Sequence, residues 1–272
     1  MMKTQRPKTD EYVLITGATS GIGLAIAREY ASRKRRLILV GHNAGRLRKT
    51  ARELDGTVTV CITMDLSRPE SAEKLFKTCK QGKLKVETLV NNAGIGLAAS
   101  RQIDHSLKES RSLFQLNCTT PMELATLFGK EMQRNGHGRI LNIASTAAFQ
   151  PLPYNALYAS GKAFLLSLSE AMQAELKGSG VNITAVCPGI TDTAFFKYGK
   201  PDIPGWLYRM LTPQEVARKA IRALEKKKTS TIPSFQHWLI AQLPRFLPRR
   251  WTLGLMRVIE KRRNRLNKGK NT

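Results

Sequence analysis

Residues 12–23 read YVLITGATSGIG. The first five form a continuous apolar run with β-branched members, as a strand buried on both faces requires. Glycines follow at 17, 21 and 23, and Ile22, Ala25, Ile26 and Tyr30 then recur at helical spacing. Gly17 permits a tight turn, Gly21 lets a pyrophosphate approach the backbone, and Gly23 lets helix and strand pack closely. The helix N-terminus then faces the anion. Glycine triplets also occur in purely structural turns, so the strand before and the helix after carry the reading of a dinucleotide site.

Outward from this corner, strand and helix alternate. Strand-like runs lie at 36–41, 57–65, 86–92, 138–145, 181–189 and 230–234, making seven with 12–16. Helical patterns fill 22–35, 44–54, 116–134, 154–177 and 212–228, the last capped by Thr212 with Pro213 at its first position. Ser67 and Glu70 have capping-box spacing and predict another helix start. Such alternation predicts an α/β fold: a three-layer, doubly wound and mostly parallel sheet covered by helices on both faces. Its ligand site lies beyond the carboxyl ends of the strands.

The chain has 272 residues and a formal net charge of +25. We read residues 10–234 as one catalytic domain and 235–272 as an extension, since no linker or repeat divides the body. Cys61, Cys79, Cys118 and Cys187 are far apart, without metal-ligand spacing, and are expected as buried free thiols in a reducing compartment, with no metal. The first apolar run enters a glycine turn, which reads as a strand and not a signal peptide. No run of about 18 apolar residues predicts a spanning helix. A cytoplasmic protein is expected.

The end of the second strand bears on the cofactor. An acid there would bind the ribose 2′-hydroxyl of NAD, and basic groups the 2′-phosphate of NADP. The sequence gives Gly41, His42 and Asn43, then Arg46 and Arg48, with no acid between Gly41 and Glu53. NADP(H) is favoured and NAD(H) stays open. The structural alternative is a solvated face carrying Arg46 and Arg48.

Residues 153–164, PYNALYASGKAF, hold Tyr154, Tyr158 and Lys162. Tyr158 and Lys162 are four apart, hence one helical turn apart on one face. An ammonium there would lower the tyrosine pKa and make it a proton donor or acceptor nearer neutral pH. Tyr154 would share that face, two turns from Lys162. Ser145, just past the fifth strand, could hold a carbonyl oxygen. Alone, this spacing equally describes a packed aromatic and an exposed lysine.

Taken together, TGATSGIG (16–23), Asp65-Leu66, NNAG (91–94), Asn117, Ser145, YASGK (158–162) and PGITDT (188–193) resemble the short-chain dehydrogenase/reductase family, single-domain Rossmann type, over about residues 10–233. The resemblance implies that Tyr158 is the general acid in ketone reduction and that Ser145 orients the carbonyl. It implies that Lys162 lowers the Tyr158 pKa and bonds the nicotinamide ribose, while Asn117 holds a proton-relaying water. For the cofactor it implies Gly17, Thr19, Ser20, Gly21, Ile22 and Gly23 at the pyrophosphate, with His42, Asn43 and Arg46 at the ribose end. Asp65 and Leu66 fall near adenine, and Asn92, Ala93 and Gly94 beside the adenosine ribose. Pro188, Gly189, Ile190 and Thr193 cover the nicotinamide. His42 departs from the arginine of many NADP-dependent members, and Ser20 from a basic residue in some. Tyr154 matches no catalytic position and is read as cleft wall or packing. The resemblance also implies a homodimer or homotetramer.

The segment 193–212 is aromatic, with Phe195, Phe196, Tyr198, Trp206 and Tyr208. It is expected to cover the substrate and to favour an acyl chain or ring system; the alternative is simple anchoring to the body. Residues 226–272 hold thirteen Lys/Arg against one acid, Glu260, nearly half of the net charge. Phe235, Trp238, Leu239 and Leu243 share one helical face, and Trp251, Leu255, Val258 and Ile259 another, with Pro244 and Pro248 separating the two segments. This pattern suits peripheral docking on an anionic membrane, and the tail is similar to those of a bacterial subgroup of the family. An arm packed on a partner subunit is the alternative. A second functional class, a dinucleotide-binding sensor or nucleic-acid-binding protein, is weaker. A sensor needs no proton donor, no nucleic-acid-reading motif is present, and no nucleic acid is expected.

Overall fold

Val13 and Ile15 of the first strand point into one hydrophobic cluster, and Tyr12 and Leu14 into another. Successive strand side chains face opposite sides of a sheet, so this strand is buried on both, as its apolar run predicts. In the computed structural model, residues 10–54, 56–193 and 209–268 are described, with side chains through Lys261. The strands are β1 Glu11–Thr16, β2 Arg36–Gly41, β3 Thr59–Thr63, β4 Lys85–Asn91, β5 Gly138–Ile143, β6 Val181–Val186 and β7 Ser230–Thr231. They form one sheet in the order β3-β2-β1-β4-β5-β6-β7. All six pairings are parallel, so the expected "mostly parallel" sheet is fully so.

Helices α1 (Gly21–Ser32), α2 (Ala44–Glu53) and α7 (Pro213–Glu225) pack on one face through Ile26, Leu47 and Ile221. Helices α3 (Ser71–Gln81) and α5 (Thr120–Arg134) pack on the other through Leu75, Leu124 and Phe128. Each such fully buried side chain contributes about 1.5–3 kcal/mol by its removal from water. The strand order reverses between β1 and β4, which opens a crevice at their carboxyl ends.

Four local expectations are corrected. Ser67 does not cap α3: its hydroxyl donates to Asp65, and the helix starts at Ser71 after Glu70, whose φ is +60°. The intervening Pro69 explains the delay, because the residue before a proline avoids helical geometry. A helix α4, Leu107–Phe114, was not expected, although Ser106 and Glu109 form its capping box; it leads through a π-helical turn, Gln115–Thr119, into α5. Helix α6 spans Ala156–Glu175 and leaves out Tyr154, whose φ of +66° is left-handed. Finally, Pro244 lies in the last turn of α8 (Phe235–Phe246) and does not separate the tail segments. Only Pro248 stands in the break before α9 (Arg249–Lys268). Pro244 has no N–H to give the carbonyl one turn back, yet the helix continues two residues beyond it.

The aromatic residues 195–208 expected over the substrate lie outside the described residues. The ends of that segment are tied together: Thr191 bridges Leu211 in parallel, and Asp192 N donates to the Leu211 carbonyl at 2.9 Å. The four cysteines are free thiols, but Cys61 is exposed and not buried as expected. Among the described residues no helix is long and apolar enough to cross a membrane.

Candidate active site

Thr16, the last residue of β1, holds the crevice together. Its Oγ1 donates to the Val90 carbonyl and accepts from the backbone N–H groups of Asn92 (2.9 Å) and Ala93 (3.0 Å). Asn92 returns the contact, its amide donating to the Thr16 and Gly17 carbonyls at 2.9 and 3.2 Å. The glycine turn and NNAG are thereby locked edge to edge.

Gly17 has φ +64°, and a Cβ there would lie 2.9 Å from Ala93 Cα. A Cβ on Gly23 would come within 2.3 Å of the Gly17 carbonyl oxygen. At Gly21 the nearest neighbour is the Thr193 methyl, 3.1 Å from a built Cβ, so PGITDT reaches over the turn. Ser20, the α1 N-cap, makes no side-chain cap bond, and the first turn of α1 has no acid. The helix end is open to a diphosphate, and the cradle has the shape and polarity a dinucleotide requires. Thr19 and Ile22 are half-buried beside it.

His42, Asn43 and Arg46 are exposed at the start of α2. Thr19 Cγ2 lies 3.6 Å from a Cβ built on Gly41, so this end adjoins the glycine turn. The Asn43 side chain is engaged as the α2 cap, accepting from Arg46 N at 2.9 Å. Glu53, the first acid after this point, pairs instead with Arg28. Asp65 accepts from Ser67 Oγ at 2.6 Å and from Arg68 Nε at 3.3 Å. These contacts, led by the Ser67 hydroxyl, hold its carboxyl below the usual range. Leu66 is buried in the core, and its carbonyl accepts from Ser71 Oγ and Thr120 Oγ1.

The expected chemical residues meet at the ends of β4, β5 and β6. Ser145 follows β5, and its Oγ is bonded by Ala147 N (3.1 Å) and by the Tyr158 side chain. Lys162 is 6 % exposed; its Nζ donates to the Ile143 carbonyl at 2.8 Å and lies 5.8 Å from the Tyr158 ring centre. Asn117 sits in the π-helical turn, its amide donating to Ile95 O (2.8 Å) and accepting from Ile95 N (3.0 Å). One N–H and one lone pair of that amide remain for a water. A Cβ at Gly94 would be 3.1 Å from Asn117 Oδ1 and 3.8 Å from Lys162 Nζ, so glycine keeps the front of the lysine clear. Pro188 accepts from Thr146 N at 2.9 Å, Gly189 from Thr191 Oγ1 at 3.0 Å, and Ile190 from Leu211 N.

Two electrostatic findings differ from the expectation. Burial pushes the Tyr158 phenol up to about 12, against a lowering from Ser145. Burial also pulls Lys162 down to about 8, with smaller opposing effects from Cys118 and Cys187. Desolvation disfavours both charged forms, and for the phenol it outweighs the lowering from Ser145. Asn142 and Ser169 belong to no motif named above, and Asn91, the first residue of NNAG, carries no role there. Asn91 donates to Asn142 Oδ1 (2.9 Å) and Asn142 to Ser169 Oγ (2.8 Å), a buried chain from β4 through β5 to α6. Polar residues at these points of apolar elements were its only sequence signal.

Residues 11–203 match the family model described as short chain dehydrogenase. The chain belongs to the short-chain dehydrogenase family. This short-chain dehydrogenase is 32% identical over 230 residues to a protein named ketoacyl reductase HetN from Nostoc sp., covering 82% of this chain and 78% of the relative. A solved short-chain dehydrogenase from Sphingobium yanoikuyae in complex with NADPH superposes with a TM-score of 0.76 at 28% identity, over 87% of this chain and 94% of that one. A bulky-bulky ketone specific alcohol dehydrogenase from Comamonas testosteroni gives 0.74 at 26% identity, over 88% and 93%. Family membership makes the short-chain dehydrogenase an NAD(P)-dependent oxidoreductase acting between carbonyl and alcohol, which sets aside the non-enzymatic sensor.

Proposed function

We propose that this enzyme reduces a hydrophobic ketone to a secondary alcohol with NADP(H), and that Tyr158 is its proton donor. The contact that carries the reading is the Tyr158–Ser145 hydrogen bond, with Lys162 one turn along and the open glycine cradle adjoining. When bound, the reduced nicotinamide supplies the hydride. Ser145 Oγ–H and the Tyr158 hydroxyl donate to the carbonyl oxygen, where negative charge builds during reduction. Tyr158 then passes its proton to that oxygen; the phenol is protonated at neutral pH, and the burial that raises its pKa makes the proton harder to give, a cost that the Ser145 hydrogen bond offsets in part. Lys162, held by Ile143 O, stands behind the phenol and in front of Gly94, placed to bond a ribose hydroxyl and to return a proton. Asn117 would hold the water that feeds it.

The NADP preference rests on exposed Arg46 and Arg48 at the ribose end, with the following acid, Glu53, paired elsewhere. The related structure that binds NADPH and the relative named for ketoacyl reduction support the same reading, as does the bulky-ketone alcohol dehydrogenase for substrate size. The test is reduction of long-chain 3-oxoacyl, steroid and simple ketones with NADPH and with NADH. The reading predicts at least tenfold higher kcat/KM with NADPH and faster turnover of the larger ketones. Equal use of both cofactors would overturn the NADP assignment. A homodimer or homotetramer is part of the proposal, supported by family resemblance alone and read by sedimentation.

The tail is proposed to hold this cytoplasmic enzyme on the inner, anionic face of the membrane. On α8 and α9, Phe235, Trp238, Leu243, Phe246, Trp251 and Val258 are exposed, two of them at 75% or more. Arg245, Arg249, Arg250, Arg257 and Lys261 are exposed around them, whereas Glu260 is buried. Two such faces would repel each other, so a bilayer with anionic headgroups fits better than a second copy.

A further inference from the structure

Between α6 and the C-terminal helices lies a cavity of about 340 Å³. One side is Ala148, Phe149 and Pro151, from the turn after Ser145, together with Ala159 and Ala163 of α6. The other side is Pro244, Arg249 and Thr252 of the tail. This is not the catalytic crevice. None of Ser145, Tyr158 and Lys162 lines it, and at about 100° per residue Ala159, Ala163 and Ser160 stand roughly 100°, 140° and 200° around α6 from Tyr158. The cavity is on the outward side of the helix whose inward side carries the chemistry.

Its chemistry is lopsided. The body contributes mostly apolar surface, with Gln150 and Ser160 the polar exceptions. The tail contributes charge at one end: Arg249 opens α9, Arg250 follows, and the first turn has no acid. Two guanidiniums at a helix N-terminus favour an anion. Thr252 lines the same cavity and is only 4% exposed, yet its Oγ1 has no hydrogen-bond partner among the described residues. That oxygen has almost no surface of its own, so Thr252 adds to the wall of the cavity and not to its polar contacts. The volume falls in the range of small-ligand pockets, about 300–1,000 Å³.

An apolar slot with a cationic rim matches a hydrocarbon chain ending in an anion. We propose that the cavity binds one medium-length acyl chain whose carboxylate or phosphate meets Arg249. The site goes beyond the reductase reading and needs neither turnover nor membrane docking. A chain seated there would brace the tail against the turn that follows Ser145.

The test uses the full chain saturated with NADPH, titrated calorimetrically with sodium dodecanoate below its micelle concentration. We expect one saturable site. Ala163→Leu, which fills the slot, abolishes it while NADPH binding and the melting profile stay as in wild type. Arg249→Gln weakens it at least tenfold, and dodecanol binds wild type as weakly as dodecanoate binds that variant. Arg249→Gln is surface-exposed and keeps the test decisive if Ala163→Leu does not fold. Phosphatidylglycerol vesicles then separate the sources: competition with dodecanoate assigns the chain to a bilayer lipid, and undiminished binding assigns it to a free acid. No saturable binding to wild type, or binding by Ala163→Leu equal to wild type, overturns the proposal. The dodecanoate arm stands even if the protein ignores vesicles.

Discussion

Lys162 shows what one residue's surroundings decide. Its position four after Tyr158 was legible from sequence, because helical spacing alone puts the two on one face. Its electrostatics were not, because burial depends on Ile143, Cys118 and Cys187 arriving from other elements. The folded pKa of about 8 lies below the ordinary 10.5, so between those values the unfolded chain holds the extra proton. Stability therefore rises with pH across that window, and the charged lysine costs most below pH 8. Lys162→Met is predicted to stabilise the fold at pH 7 by about 2 kcal/mol, from about 3 for the displaced pKa less about 1 for the lost Ile143 bond. That gain should fade by pH 10.5 in denaturant titrations, while reductase activity is lost. A variant less stable than wild type at pH 7 would contradict this balance.

Helix α6, which holds the proposed proton donor Tyr158, is braced from two directions. Inward, Asn142 bonds Ser169; at its N-terminus, Asn155 Nδ2 donates to Glu260 at 3.1 Å. The first turn of α6 has no acid and its cap makes no side-chain cap bond, so Glu260 of α9 supplies negative charge where the helix dipole favours it. The strands and most helices were legible because apolar runs and periodicity are local. The start of α6 was not, since Tyr154 takes a left-handed conformation that tertiary contacts impose, including Ser100 N to its carbonyl. Glu260→Ala is predicted to lower stability by about 1.5–3 kcal/mol, the usual worth of a hydrogen bond to a charged group. It should also reduce kcat more than the KM for NADPH. Thermal melts and steady-state kinetics check both; unchanged values would mean that the tail does not support α6.

For the whole molecule, charge and apolar surface are divided unevenly. The glycine turn, NNAG and the Ser145–Tyr158–Lys162 set were readable in order, whereas Thr16 and the Asn91–Asn142–Ser169 chain needed the folded sheet to bring them together. The tail's basic, apolar character was readable too, but its packing on the body was not. Flotation with phosphatidylglycerol vesicles is predicted at about 0.15 M salt and should fall sharply at 1 M, where the screening length shrinks from about 8 to 3 Å. Equal flotation with neutral vesicles would point to purely apolar attachment.

Tyr158 is proposed to donate the proton. The direct measurement is single-turnover reduction of a turned-over ketone by Tyr158→Phe with NADPH bound. The rate should fall by about 10²–10⁴, the usual worth of a positioned proton donor, with NADPH affinity within threefold of wild type. A Tyr158→Phe enzyme that keeps the wild-type rate would contradict it.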